Sequence, residues 1–302
     1  MHEGELALDT ATAARLIARR FPELRREPVR AVALTGTVNR IIRVGGEHVA
    51  RFPLLGATET ELEREATALA EFAAASPYPA PRPYGIAAPS TEFPSAWAMQ
   101  TWVEGETADP VSAAAAPTLA RGLASLIRAL RAVDLRGRTF DGNGRGGCLG
   151  DHDEWVAHCL ARSAHLFDAA RAERLWAALR ELPSTGTGVM SHRDLTPFNL
   201  LVAERAGETR LAGVLDGGSF GPADPALDLV VAWHLFEAPT RRVLRDGVGV
   251  EDVEWQRGAA WALQQALGLG WYYETSNPTM SALGVSTVRR LLTDAGLSVL
   301  ID

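Results

Sequence analysis

The chain has 302 residues, 47% of them hydrophobic, enough to bury a large core as two domains or one two-lobed domain. Its net charge is −7 with both signs interspersed, which excludes a basic nucleic-acid stripe, and no apolar run reaches the roughly 20 residues of a membrane span. Lys and Arg total 30 and every one is arginine, so Schiff-base chemistry on a lysine is excluded and any phosphate must be met by guanidinium.

The opening "MHEGELALDTATAARLIARRF" lacks the basic start, apolar middle and small-residue cleavage site of a signal peptide, so a cytoplasmic setting is the expectation. Cys148 and Cys159 are then expected as buried free thiols. Residues 10–20 predict an amphipathic helix with Leu16 and Ile17 inward. Strand-like runs follow at 29–36, 39–46 and 48–53, with Gly45-Gly46 turning between the last two. A helix is predicted over 58–76 on Leu62, Ala66, Leu69 and Ala73, then a Pro-rich loop over 77–90 with a short strand near 84–87, then a buried strand in 96–105.

Beyond about residue 106 helices dominate: 116–134 on Leu119, Leu123, Ile127 and Leu130, then 152–167 and 169–182. "NLLVAERAGETRLAGVLDGG" predicts a hairpin around Gly207, and 225–236, 251–274 and 285–296 read as helices. The boundary falls after residue 103, giving an α+β, bilobal chain: a small N-terminal β-sheet lobe (1–103) and a larger, mainly helical lobe (104–302).

Two motifs carry chemistry, "SHRDLTPFNLLV" (191–202) and "VLDGGSFG" (214–221). Asp194 on a loop can accept a proton from an attacking hydroxyl, and an amide oxygen at Asn199 can reach a hard cation. Asp216 ends the next strand of the same hairpin, so its carboxylate is expected back near Asn199, where the two offer oxygens to Mg²⁺ on nucleotide phosphates. Each residue alone also suits a turn or a backbone cap; the joint spacing favours chemistry.

"HRDLTPFN" resembles the catalytic loop of the protein kinase superfamily. With "GVLDGGSFGPADPALDLVVAW", "VARFP", "LEREATAL" and "MQTWVEGETA", the chain is similar over nearly its whole length to the aminoglycoside phosphotransferase family. The resemblance implies a protein kinase-like fold and roles by position. Asp194 would be the catalytic base, and Asn199 and Asp216 the Mg²⁺ ligands. Arg51 would be the cation on the phosphates of ATP or GTP, with Glu65 as its ion-pair partner; Gln100 and Trp102 would lie at the nucleotide hinge. His192 would shape the loop, and Asp224 and Asp228 would support it, Asp228 by holding backbone. Trp233 and Trp261 read as core.

Departures from the family pattern are visible. The turn "LTGTVNR" (34–40) has one glycine, leaving backbone N–H groups at Gly36, Thr37 and Asn39 to cover the phosphates. Arg193 stands where the family has Gly, Thr196 where His is common, Phe198 where Gly is common, and Gly217 where an aromatic is common. The short span from Asp216 to Pro225 leaves no long activation loop, which argues against protein substrates.

The implied reaction is transfer of the γ-phosphoryl group of ATP or GTP to a hydroxyl of a small-molecule acceptor, first an aminoglycoside, as in antibiotic resistance. A macrolide, or a metabolite alcohol such as choline, homoserine or a sugar, is the alternative. A pseudokinase-like nucleotide- or drug-binding protein is the non-enzyme alternative. Asp153, Glu154, Glu237, Glu251, Asp252, Glu254 and Glu274 would suit a polycation, and Trp155, Trp271, Tyr272 and Tyr273 an apolar acceptor. No nucleic-acid or membrane partner is expected, and no pattern fixes an oligomeric state.

Overall fold

The computed structural model describes residues 4–32, 38–184, 186 and 188–301. Gly36 and Thr37, and the end of the strand expected over 29–36, lie outside the described residues. The chain divides into two compact units, one of Met1–Ala74, Pro79–Glu104 and Leu215–Ser219, the other of Ala75–Tyr78, Gly105–Val214 and Phe220–Asp302. The sequence places one cut after residue 103, whereas the contacts change unit after Glu104, assign Ala75–Tyr78 to the second unit and Leu215–Ser219 to the first. There the Cα of Gly217 lies so close to the Phe72 ring that an added Cβ would sit 2.3 Å from Phe72 Cδ1.

In the first unit, helix α1 (Thr10–Arg20) starts where Asp9 accepts a hydrogen bond from the Thr12 amide at 2.6 Å. Strands β1 (Val29–Ala31), β2 (Asn39–Val44) and β3 (His48–Pro53) form an antiparallel meander. Helix α2 (Glu59–Ala75) opens with a reciprocal capping box: the Thr58 amide donates to Glu61 at 2.8 Å and the Glu61 amide to Thr58 Oγ1 at 3.2 Å. β4 (Pro83–Ala87) and β5 (Trp97–Thr101) complete a five-stranded sheet of order β1-β2-β3-β5-β4. Alternating residues of β2, β3 and β5 (Ile42, Val44, Ala50, Phe52, Trp97, Met99) face α1 residues Leu16 and Ile17 in one apolar core, with Phe52 stacked on Trp97 at 4.6 Å.

The second unit begins with the short strand β6 (Glu106–Thr107), then helices α3 (Pro117–Arg131), α4 (Asp153–Ser163) and α5 (Ala169–Arg180). Strand β7 (Val189–Ser191) leads into the catalytic-loop sequence, followed by β8 (Leu200–Arg205), β9 (Glu208–Val214) and β10 (Gly221–Ala223). The β8–β9 turn is the two-residue kind, with Ala206 and Gly207 at φ 56° and 75°, which matches the twist of the paired strands. The chain ends in α6 (Val230–Leu235), α7 (Ala238–Val248), α8 (Asp252–Tyr272), α9 (Pro278–Thr293) and α10 (Ala295–Ser298).

Helix α8 is buried from Trp255 to Leu267 on nearly every side, with α4, α5, α6 and α9 around it. A Cβ on Gly284 of α9 would lie 2.6 Å from the Gly270 amide nitrogen and 2.7 Å from the Ala266 carbonyl oxygen, so only glycine permits this backbone approach. The helix expected over 285–296 starts earlier, at Pro278 behind an Asn277 cap, and breaks at Asp294, whose carboxylate caps α10. Helix α7 has no counterpart in the sequence reading. Trp233 and Trp261 are fully buried; Cys148 and Cys159 are both free, but Cys159 alone of the two is buried and Cys148, expected inside, is exposed. Among the described residues, no helix is long and apolar enough to cross a membrane.

Candidate active site

The catalytic-loop sequence is held from below by one buried carboxylate. Asp228 accepts from Ser191 Oγ at 2.8 Å, from the His192 amide at 2.9 Å and from the Arg193 amide at 3.2 Å. Such a set of donors lets a 3% exposed carboxylate remain in the interior. Asp224, also buried, pairs with Arg257 and accepts from Trp261 Nε1 at 3.0 Å, tying the segment before α6 to α8. His192 is buried and its Nδ1 accepts from the Asp194 amide at 3.3 Å.

Arg193 adopts φ 70°, the left-handed region where glycine is favoured and where the family has Gly. Its side chain leaves the loop: the guanidinium lies 5.0 Å from the Phe140 ring centroid, pairs with Asp141 at 3.1 Å and donates to the Asn143 carbonyl. The bulk that replaces Gly is therefore spent on the 140–143 segment.

Asp194 is anchored asymmetrically. Its Oδ1 accepts from Arg145 Nη2 at 2.8 Å and from Gln265 Nε2 at 3.0 Å, whereas among the described residues Oδ2 accepts from one donor, Asn199 Nδ2 at 3.0 Å. The same Asn199 amide nitrogen donates to the Asp194 carbonyl at 2.8 Å, so both of its hydrogens are used. About a third of the Asp194 side chain is exposed. Neither Arg145 nor Gln265 was singled out in the sequence. The available signals were an arginine in the glycine-rich run 142–147 and two glutamines inside the apolar helix "AWALQQALGLG".

In the first unit, Arg51 and Asp216 form the other cluster. Arg51 on β3 donates to Asp216 Oδ1 at 2.9 Å, and Asp216 adopts φ 60°, a left-handed conformation of the kind that gathers at functional positions. The resemblance named Glu65 as the partner of Arg51; here the hydrogen-bonded partner is Asp216, and Glu65 adds negative charge nearby. Glu65 is exposed as a whole residue, yet desolvation of its carboxyl raises its pKa, opposed by Arg51 and reinforced by Asp216. A Cβ on Gly218 would lie 3.5 Å from the Glu65 Cβ, in ordinary van der Waals contact.

Gln100 lies on β5 opposite Val49, and Trp102 just beyond it, its ring covered by the Arg43 guanidinium at 4.3 Å. Asn199 immediately precedes β8 and Asp216 follows β9 by two residues; the register pairs Leu200 with Val214. Among the described residues no cluster of three His, Cys, Asp or Glu could hold a metal by itself. Amide and carboxylate oxygens are hard donors of the kind Mg²⁺ takes, and Asn199 and Asp216 each carry one.

No curated protein matches the chain. Among solved structures, the GDP complex of wild-type aminoglycoside 2'-phosphotransferase-IIIa is similar at 17% identity and a TM-score of 0.70, covering 93% of this chain and 98% of that one. The apoenzyme of macrolide 2'-phosphotransferase MphH from Brachybacterium faecium is similar at 21% identity and a TM-score of 0.60, covering 93% and 97%. A macrolide 2'-phosphotransferase type I is similar at 19% identity and a TM-score of 0.62, covering 94% and 98%. The expected fold is thus present: the kinase-like fold of these phosphotransferases, with an N-terminal antiparallel sheet and a helical remainder. Residues 29–261 match the sequence profile of the phosphotransferase enzyme family, and the chain belongs to that family.

Proposed function

We propose that the chain is a Mg²⁺-dependent kinase that moves the γ-phosphoryl group of ATP or GTP to a hydroxyl of an antibiotic-like small molecule. The observation that carries this reading is the asymmetric anchoring of Asp194, which holds Oδ1 by two donors and Oδ2 by one among the described residues. In the proposed step Oδ2 takes the hydroxyl proton as the new O–P bond forms. The bond from γ-phosphorus to the β-bridging oxygen breaks, and the nucleoside diphosphate departs.

Asn199 Oδ1 and the Asp216 carboxylate would hold the cation, which when bound neutralises charge on the phosphates. Arg51, whose fork of donors can serve carboxylate and phosphate together, would contact the phosphates, with Glu65 supporting it. Gly36, Thr37, Gln100 and Trp102 are assigned to the nucleotide. Two free thiols suit a reducing cytoplasmic setting.

For the acceptor, the aminoglycoside reading rests on acidic side chains in the second unit and on the relatives' own names. A second reading, a macrolide-like apolar acceptor, is favoured by what those acids do. Asp153 pairs with Arg180, Asp252 with Arg245, Glu254 with Arg131 and Glu274 with His165, so part of their charge is already matched. Exposed Trp155 and Tyr272 flank Trp271, at 6.5 and 5.7 Å between ring centroids. Gly268, whose Cβ position lies 2.8 Å from Trp155, is one helical turn from Gln265, which holds Asp194.

The test is a phosphorylation screen with ATP and GTP over aminoglycosides, macrolides and metabolite alcohols. A product from one class identifies the acceptor. Nucleotide binding with no phosphorylated product from any class refutes the enzyme reading and favours the pseudokinase-like alternative.

A further inference from the structure

We propose that Gln265 and His234 are positioning residues for Asp194, the last links of a hydrogen-bonded chain that runs from α9 through α6 and α8 to the catalytic loop. The inference rests on the kinase reading for its function, but its geometry stands apart from it. Thr287 Oγ1 lies 2.9 Å from His234 Nδ1, His234 Nε2 lies 3.1 Å from Gln265 Oε1, and Gln265 Nε2 lies 3.0 Å from Asp194 Oδ1. His234 and Thr287 are fully buried and Gln265 is 8% exposed, so each link lies in a water-poor interior where an unmet polar group is costly.

The direction of every bond follows from the Asp194 end. A carboxylate only accepts, so Gln265 turns its NH₂ toward Asp194 and its carbonyl oxygen toward His234. That oxygen needs a donor, which places the ring proton of His234 on Nε2. Nδ1 is then an acceptor, filled by the Thr287 hydroxyl. Burial lowers the His234 pKa to about 4, beside the charges of Arg145 and Arg290, so the ring is neutral at physiological pH, as this arrangement requires.

Arg290 donates to the Trp233 and His234 carbonyls at 3.3 and 2.9 Å, fixing the backbone that carries the ring. Three helices thereby set the rotation of one carboxylate. Arg145 supplies a charge on Oδ1 from a glycine-rich segment, whereas Gln265 supplies a donor from a packed helix. The helix-borne donor orients Oδ2 toward an acceptor hydroxyl; a misplacement of about 1 Å in such a group can cost on the order of a hundredfold in rate.

Gln265→Met keeps the volume and removes the donor; Thr287→Val keeps the shape and removes the hydroxyl. For whichever acceptor the parent chain phosphorylates, Gln265→Met is expected to lower kcat by on the order of 10- to 100-fold, with KM for Mg·ATP within about twofold of the parent. Thr287→Val is expected to lower kcat less, and to add nothing in the Gln265→Met background, since it acts through the same donor. Additive losses, or a parental kcat for Gln265→Met, overturn the positioning role.

Thermal melts of both variants check folding. Nitrogen-15 NMR of the parent chain reads the ring directly: a single neutral tautomer protonated at Nε2 is expected for His234 at pH 7. A ring protonated at Nδ1, or a tautomer mixture, overturns the chain whatever the activity. A parent chain that phosphorylates nothing overturns the kinase reading, and the ring measurement still decides the bond direction.

Discussion

Arg145 and Asp194 form an ion pair at 2.8 Å in which the guanidinium occupies one carboxylate oxygen and leaves the other toward Asn199. The two residues are 49 apart in sequence, and the pair is about one third exposed. Asp194→Asn keeps the size of the side chain but cannot serve as the base: its carbonyl oxygen can still accept from Arg145 and Gln265, and its NH₂ then takes the place of Oδ2. Turnover is expected to fall by about 10²- to 10⁴-fold with nucleotide affinity nearly unchanged. Steady-state kinetics beside a nucleotide titration check this; a variant with parental turnover removes Asp194 from the reaction.

Arg51 and Asp216 meet at 2.9 Å on the first unit. Asp216→Ala is expected to abolish productive Mg·nucleotide binding. Arg51→Ala is expected to weaken nucleotide by on the order of tenfold, the loss of about one charged hydrogen bond. Arg51→Lys should recover only part of it, because an ammonium lacks the planar fork. Calorimetric titration with Mg·ADP measures all three, and equal affinities for Arg51→Ala and the parent would contradict the assignment.

Arg193 combines a left-handed backbone with an outward ion pair to Asp141. Both Arg193→Ala and Arg193→Gly lose the pair and the Phe140 contact, but only alanine keeps the backbone strain. Arg193→Gly should be more stable than Arg193→Ala by about 1 kcal/mol. Urea unfolding of the two variants gives that difference, and equal midpoints would show that the conformation carries no cost.

His234 has a pKa of about 4 in the fold against 6.5 for the free side chain, through burial. The unfolded chain takes up a proton near 6.5 that the folded chain refuses until about 4, so acid favours unfolding across that window. Stability should fall by up to about 1.4 kcal/mol per pH unit between those values, with half-buried His152, also lowered by desolvation, acting in the same direction. Urea midpoints at pH 7, 6 and 5 measure the slope. A His234→Gln variant should show a shallower one; an unchanged slope would assign the acid sensitivity elsewhere.

Local pattern made much of the fold legible. The 3.6-residue periodicity of Leu119, Leu123, Ile127 and Leu130 marks α3, and all four residues are buried. Gly207 marks the turn of the β8–β9 hairpin. Helix α7 was missed because its apolar face is thin, with Thr240, Arg241 and Leu244 as its buried residues. Arg241 is held there by Asp294 at 2.7 Å, a partner that no window around 241 contains. β6, β7 and β10 have at most three residues each, too few for alternation to register.

The departure at Gly217 is explained by a residue far away in sequence: Phe72 of α2 fills the space where the family often has an aromatic. The sequence by itself determined the identity and spacing of Asp194, Asn199 and Asp216, the residues proposed for the reaction, because a short loop shows its residue types and spacing directly in the chain. Only the tertiary structure decided who surrounds them. Gln265 reaches Asp194 from 71 residues away, and Arg51 reaches Asp216 from 165. Hydrogen bonds at such separations depend on how helices and strands pack, and packing leaves no periodic trace in the chain.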